Sequence, residues 1–98
     1  MVTFTEQDNE IVCTFTGQLG TAEVMKDQPA VDQKLEQVHD RSVAFDLSRV
    51  SFVASSFLRL CVKTAREAGP ARFSVRNLTP EVKKVYVICG LDKQMAIT

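Results

Sequence analysis

Apolar and polar residues alternate over residues 2–5 and again over 11–15, with the polar run Gln7-Asp8-Asn9-Glu10 between them. A period of two bounded by turn residues predicts two strands joined as an antiparallel hairpin. Gly17 and Gly20 punctuate the end of the second strand. From Thr21 the spacing becomes helical. Ala22, Met25, Leu35 and Val38 mark the inner side of a helix capped by Thr21, and Pro29 predicts a break into a short piece, a kink and a main helix. Residues 42–47 (Ser-Val-Ala-Phe-Asp-Leu) show little polar alternation, which suits a central strand covered on both faces.

After a short loop, Ser55 or Ser56 opens a second helix that ends before Gly69-Pro70. Phe57, Cys61, Ala65 and Ala68 recur at helical spacing, as do Leu58 and Val62, while Arg59, Lys63 and Arg66 form a basic stripe beside them. Residues 72–75 are the next strand. Thr79-Pro80-Glu81 combines a capping hydroxyl, proline at the first helical position and an acid in the first turn. Val82, Val85, Tyr86 and Cys89 face inward on that third helix, and Gly90 stops it. Residues 94–97 add an edge strand. The order β-β-α-β-α-β-α-β predicts one α/β domain over residues 1–98. Its sheet is mixed and four- to five-stranded, and its helices pack mainly on one face.

Composition narrows the function classes. The 98 residues are 45% hydrophobic and 24% charged, the balance of an ordinary globular domain. Twelve basic residues offset twelve acidic ones, so the basic excess of a nucleic-acid binder is missing and no nucleic-acid partner is expected. No apolar run approaches the roughly 20 residues of a membrane helix, and the opening residues carry no signal pattern. A cytoplasmic location without membrane insertion is therefore expected. Cys13, Cys61 and Cys89 are odd in number and widely spaced, which argues for buried free thiols and against zinc or disulfides. No metal and no cofactor are expected.

Enzyme signatures do not emerge. Val53-Ala54-Ser55-Ser56-Phe57 departs from the G-x-S-x-G nucleophile turn, and no phosphate-cradling glycine loop is present. His39, beside Asp40 and Arg41, reads as a solvated residue at a helix end. Asp27, Asp32 and Glu36 read as a solvated helix face. One feature is left: a buried-looking strand leads into a pair of serines at a helix N-terminus. Serine there commonly caps the helix by accepting an orphan backbone N–H. The functional alternative is phosphorylation, since a helix N-terminus tolerates the added dianion.

Residues 42–58, S-V-A-F-D-L-S-R-V-S-F-V-A-S-S-F-L, resemble the central signature of STAS domains, the anti-sigma factor antagonist family. That signature is a strand ending in D-L-S, a short loop, and D-S-S/T-G-L-G opening a helix. Residues 77–85 with Cys89-Gly90-Leu91-Asp92 resemble the family's last helix, and Phe15-Thr16-Gly17-Gln18-Leu19 resembles its G-x-L-D turn. Four positions differ: Ala54 and Gly20 replace the two acids, and Phe57 and Arg59 replace the two glycines.

The resemblance implies a non-enzymatic regulatory module. Such modules bind an anti-sigma factor, often itself a GHKL-type serine kinase, and phosphorylation of a serine in the signature releases it; a phosphatase reverses the change. Carried onto this chain, the phosphoacceptor is Ser55, with Ser56 the alternate. The partner-facing residues expected on the second helix are Phe57, Leu58, Arg59, Lys63 and Arg66. Loss of both acids favours a second reading, a STAS-fold scaffold or interaction module that is never phosphorylated and serves a larger sensory or transport assembly.

Overall fold

A computed structural model describes residues 1–7, 9–37 and 41–98. The expectations for Asp8 in the hairpin turn, for Val38 as an inward helical residue, and for His39 and Asp40 fall outside the described residues. The hairpin forms as predicted, with β1 (Val2–Gln7) antiparallel to β2 (Glu10–Leu19). There follow α1 (Thr21–Glu36), β3 (Ser42–Val53), α2 (Ser55–Ala68), β4 (Phe73–Arg76), α3 (Pro80–Ile88) and β5 (Ala96–Ile97). Short 3-10 turns at Pro70–Arg72 and Leu91–Lys93 were not legible in the sequence.

The sheet runs in chain order, β1-β2-β3-β4-β5, and every pairing after the hairpin is parallel. Parallel crossovers are right-handed, and here each one steps in the same direction across the sheet. Successive helices must then stack on a single face, as the sequence order predicted. A Lys63–Asp32 ion pair joins α2 to α1, and a Cys61–Tyr86 hydrogen bond joins α2 to α3.

On that covered face the register aligns Ile11 with Val43 and Phe73, and Cys13 with Phe45 and Val75. All six are buried. Phe45 lies at the centre: its ring centroid is 5.0 Å from Phe15, 5.9 Å from Phe57 and 4.9 Å from Phe73. The opposite face carries Thr3, Thr5, Thr14, Ser42, Asp46, Ser74 and Arg76, and among the described residues no helix covers it. Arg76 forks onto the Glu10 carboxylate, with Nη1 donating to Oε1 at 2.8 Å and Nη2 to Oε2. Because β3 lies between β2 and β4, this pair spans it and shields Ala44, which is fully buried. Both faces of central β3 are thus covered over its first half.

Five expectations are corrected. Thr21 is the first helical residue of α1, not its cap; Gly20 holds the cap position in extended geometry, and Val24 N–H bonds its carbonyl at 3.0 Å. The inward residues of α1 are Val24 and Val31, with Leu35 half-buried, whereas Ala22 and Met25 are exposed. These three lie on one i, i+7, i+11 line, a single face of the helix. Pro29 does not break α1. Proline removes the bond that Met25 C=O would accept, but Met25 and Pro29 lie on the solvent side, where water can satisfy that carbonyl. The segment expected as a loop after Leu47 continues β3 to Val53. Finally, Cys89 is exposed: α3 ends at Ile88, and Cys89 is its C-cap residue, ahead of the left-handed Gly90 (φ 74°).

The Thr79 cap is observed, its hydroxyl accepting Val82 N–H at 3.4 Å. Two stability and reactivity outcomes follow from this core. Phe45→Ala removes the ring shared by three aromatic neighbours and should cost about 3–5 kcal/mol of unfolding free energy in a urea titration; a loss below about 1 kcal/mol would contradict the packing. Burial pushes the Cys13 and Cys61 thiols up to about 12. At pH 8, a thiol reagent should therefore label Cys89 alone in the native protein and all three cysteines after unfolding.

Candidate functional site

The second half of β3 and the start of α2 build the site. Apolar residues recur there as Leu47, Val50 and Val53, a spacing of three that no regular strand can point to one side. Two register shifts against β2, between Thr14 and Thr16 and between Gly17 and Gln18, absorb the mismatch. Gly17 sits at φ 91°, a conformation that favours glycine. All three apolar residues reach the core, and Ser48, Arg49, Ser51 and Phe52 turn outward. β4 pairs only as far as Asp46, so β3 continues past its neighbour before the chain enters α2.

Ala54 holds the N-cap position of α2, and neither serine caps the helix through its side chain. The Ala54 N–H donates to Leu19 C=O at 2.8 Å, which ties this turn to the end of β2. Ser55 is therefore the first helical residue. Its side chain is exposed, and among the described residues it hydrogen-bonds no base. Ser56 differs: its Oγ is buried and, among the described residues, without a hydrogen-bond partner. Adjacent serines point about 100° apart around a helix, which separates the two. The expectation that either serine serves as the N-cap is thus corrected.

Phe57 fixes the geometry. It is fully buried, with its ring 5.0 Å from Phe15 and edge-on to it. Buried there, it cannot meet a partner, so it leaves the expected partner-facing set. Its bulk points away from Ser55's surroundings. Of the rest of that set, Arg59, Lys63 and Arg66 are exposed and Leu58 is half-buried. Arg59, Val62, Lys63, Arg66 and Glu67 line a shallow groove along α2. Lys63 is held by Asp32 at 3.2 Å and by Glu67 at 4.0 Å, whereas Arg59 and Arg66 make no ion pair among the described residues. Arg59 and Arg66 are thus the unpaired cations of the expected partner-facing set. The sequence reading missed Phe52, an aromatic ring 51% exposed just before the serines. Its register partner is Gln18, also exposed, so the two strand ends present one surface beside Ser55.

Asp46 steadies the neighbouring turn. Its Oδ1 accepts Ser48 N–H at 2.9 Å and its Oδ2 accepts Asn77 Nδ2 at 3.3 Å. Partial burial works to raise this carboxyl, but the bonds from Ser48 and Asn77 and the nearby Arg76 charge outweigh it and hold it below the usual carboxylate range. Its stabilising effect is present at neutral pH and is lost as pH falls through that lowered value. Asn77, in left-handed geometry at φ 59°, thereby sets the approach to α3. Among the described residues no cluster of His, Cys, Asp or Glu could hold a metal ion, and no helix is long and apolar enough to cross a membrane.

The sequence matches no protein-family model and no curated protein. Solved structures are similar to it over nearly its whole length. An anti-sigma-factor antagonist (STAS) domain protein from Planctomyces limnophilus superposes with a TM-score of 0.87 at 20% identity, over 99% of this chain and 87% of that one. The anti-sigma factor antagonist SpoIIAA in its unphosphorylated form gives 0.81 at 22% identity, over 100% and 88%. The Bacillus cell fate determinant SpoIIAA in its phosphorylated form gives 0.74 at 21%, over 100% and 91%. A mixed five-stranded sheet in chain order, with three helices stacked on one face, is thus shared from end to end, and this chain has the fold of the STAS domain.

Proposed function

We propose that this protein is a phosphorylation-switched antagonist. It binds an anti-sigma factor that is also a GHKL-type serine kinase, acts in the cytoplasm, and is released by phosphorylation of Ser55, with a phosphatase restoring the binding form. The observation that carries this reading is the exposed Ser55 hydroxyl at the first helical position of α2, free of any capping duty. The shared fold supports it, because SpoIIAA has been solved in phosphorylated and unphosphorylated forms. The burial of Ser56 Oγ favours Ser55 over its neighbour, since a kinase must reach the oxygen it modifies.

The kinase supplies the base and the nucleotide; this chain supplies an accessible hydroxyl on a rigid turn. A phosphate of about −1.5 to −2 charges there is tolerated by the helix dipole, so the fold survives. A partner covering the turn must instead desolvate that charge. The proposed contact surface is Leu58, Arg59, Lys63 and Arg66, extended by Phe52. Arginine is enriched among residues that dominate binding energy, and Arg59, one helical turn from Ser55, is exposed and makes no ion pair among the described residues.

The second reading, an unphosphorylated scaffold, draws on Ala54 and Gly20, which stand where the resembling signature has acids. Mass spectrometry after incubation with the cognate kinase and ATP separates the two. Phosphate is expected on Ser55; Ser55→Ala should abolish it and Ser56→Ala should retain it. Phosphate on neither serine would hand the role to the scaffold reading. In a binding titration, Arg59→Ala should weaken the partner by about thirtyfold, and unchanged affinity would move the contact surface off α2.

A further inference from the structure

Arg59 is exposed and makes no ion pair among the described residues. Its own helix offers it no acid. The positions three and four away along α2, those a helical side chain reaches, are Ser55, Ser56, Val62 and Lys63. Val62 is apolar and the Ser56 Oγ is buried. Lys63 carries the same charge and is held by Asp32 and Glu67. Ser55 is left, exposed and four residues earlier. Four residues turn an α-helix by about 400° and rise about 6 Å, so the two side chains stand nearly one above the other. Each Cα–Cβ bond leans toward the helix N-terminus, which aims Arg59 at the turn that holds Ser55. Phe57, packed on Phe15 and Phe45, fixes that turn.

We propose that Arg59 clamps the phosphate of its own chain: the guanidinium pairs with phosphorylated Ser55 and is thereby withdrawn from the partner-facing surface. The clamp rests on the phosphorylation proposed above and deepens it by saying how the partner is released. In transfer from ATP, the Ser55 Oγ–P bond forms as the bond from the γ-phosphorus to ADP breaks, and the hydroxyl proton passes to the kinase's base. The product carries about −1.5 to −2 charges on three acceptor oxygens, which suit the forked donors of a guanidinium. An anion four residues N-terminal to a cation is the favourable order on a helix. Glycine, which the resembling signature has at this position, cannot form such a pair. One cation offsets about half of that charge, so a covering partner must still desolvate the remainder. Release then has two sources: a charge brought to the interface and a cation taken from it.

Phosphorus NMR titration of the full chain, with phosphoserine installed at position 55 during synthesis, tests the clamp. A paired guanidinium favours the dianion, so the second phosphate proton leaves more readily. At about 0.1 M salt the second ionisation constant should be about two- to threefold larger in the wild type than in Arg59→Ala. Arg59→Gln should behave like Arg59→Ala, and the difference should be largely lost at about 1 M salt. Arg66→Ala removes an equally unpaired cation about 16 Å from Ser55 along the axis, beyond the screening length, and should leave the constant unchanged. Equal constants in the wild type and Arg59→Ala, or an equal fall in Arg66→Ala, would overturn the clamp. No kinase enters the measurement, so that failure would leave phosphorylation of Ser55 standing. A kinase that ignores Ser55 would defeat the proposed function and leave the titration intact.

Discussion

Everything at the proposed site depends on the wedging of Phe57 between sheet and helices. Its ring meets Phe15 and Phe45, so one side chain locks the first turn of α2 onto two central strands. Interiors pack as densely as organic crystals, and a ring held among aromatic neighbours has little freedom to shift. Ser55 lies two residues earlier and inherits that rigidity. The resembling signature has glycine at position 57, and the phenylalanine adds bulk inward while leaving the outer surface of the turn open. Arg59, the other glycine replacement, does the reverse and projects a cation beside the serine.

The rest of the architecture positions this turn by simple constraints. Crossovers stepping in one direction put the three helices on one face, leaving a threonine- and serine-rich face bare. Among the described residues, the Arg76–Glu10 pair alone covers the middle of that face, over Ala44. β3 outlasts β4, and the bond from Ala54 to Leu19 gathers the ends of β2 and β3. The extension carries Phe52 and the serines beyond the neighbouring strand, where a large partner can reach them. Stability resides in the aromatic layer, whereas the recognition proposed above belongs to the projecting end, so charge can change at one without disturbing the other.

Much of this was legible in the residues. The hairpin, the covered central strand, the span of α2 and the capped start of α3 follow from periodicity and capping chemistry, because local preference and tertiary demand agree there. The second half of β3 was not legible. Its apolar residues repeat every three positions, and the register shifts that make such a strand possible arise from its pairing with β2. Continuity of α1 through Pro29 depends on the proline facing solvent, which is a tertiary fact. At the site, the serines were visible, but their separation was not. That Ser55 points outward and Ser56 inward follows from Ala54 taking the cap position, and alanine carries no capping signal. Phe52 escaped notice because it sits within a segment that reads as a loop.

The central claim is that a charge at Ser55 acts on the partner and not on the fold. Calorimetric titration of the cognate anti-sigma factor with the Ser55-phosphorylated and unmodified proteins, each melted in parallel, tests it most directly. An uncompensated charge buried at an interface costs about 2–5 kcal/mol, so phosphorylation should weaken binding by at least about thirtyfold with the melting temperature essentially unchanged. Equal affinity for both forms would contradict the account, as would a loss of affinity that tracks unfolding of the phosphorylated protein.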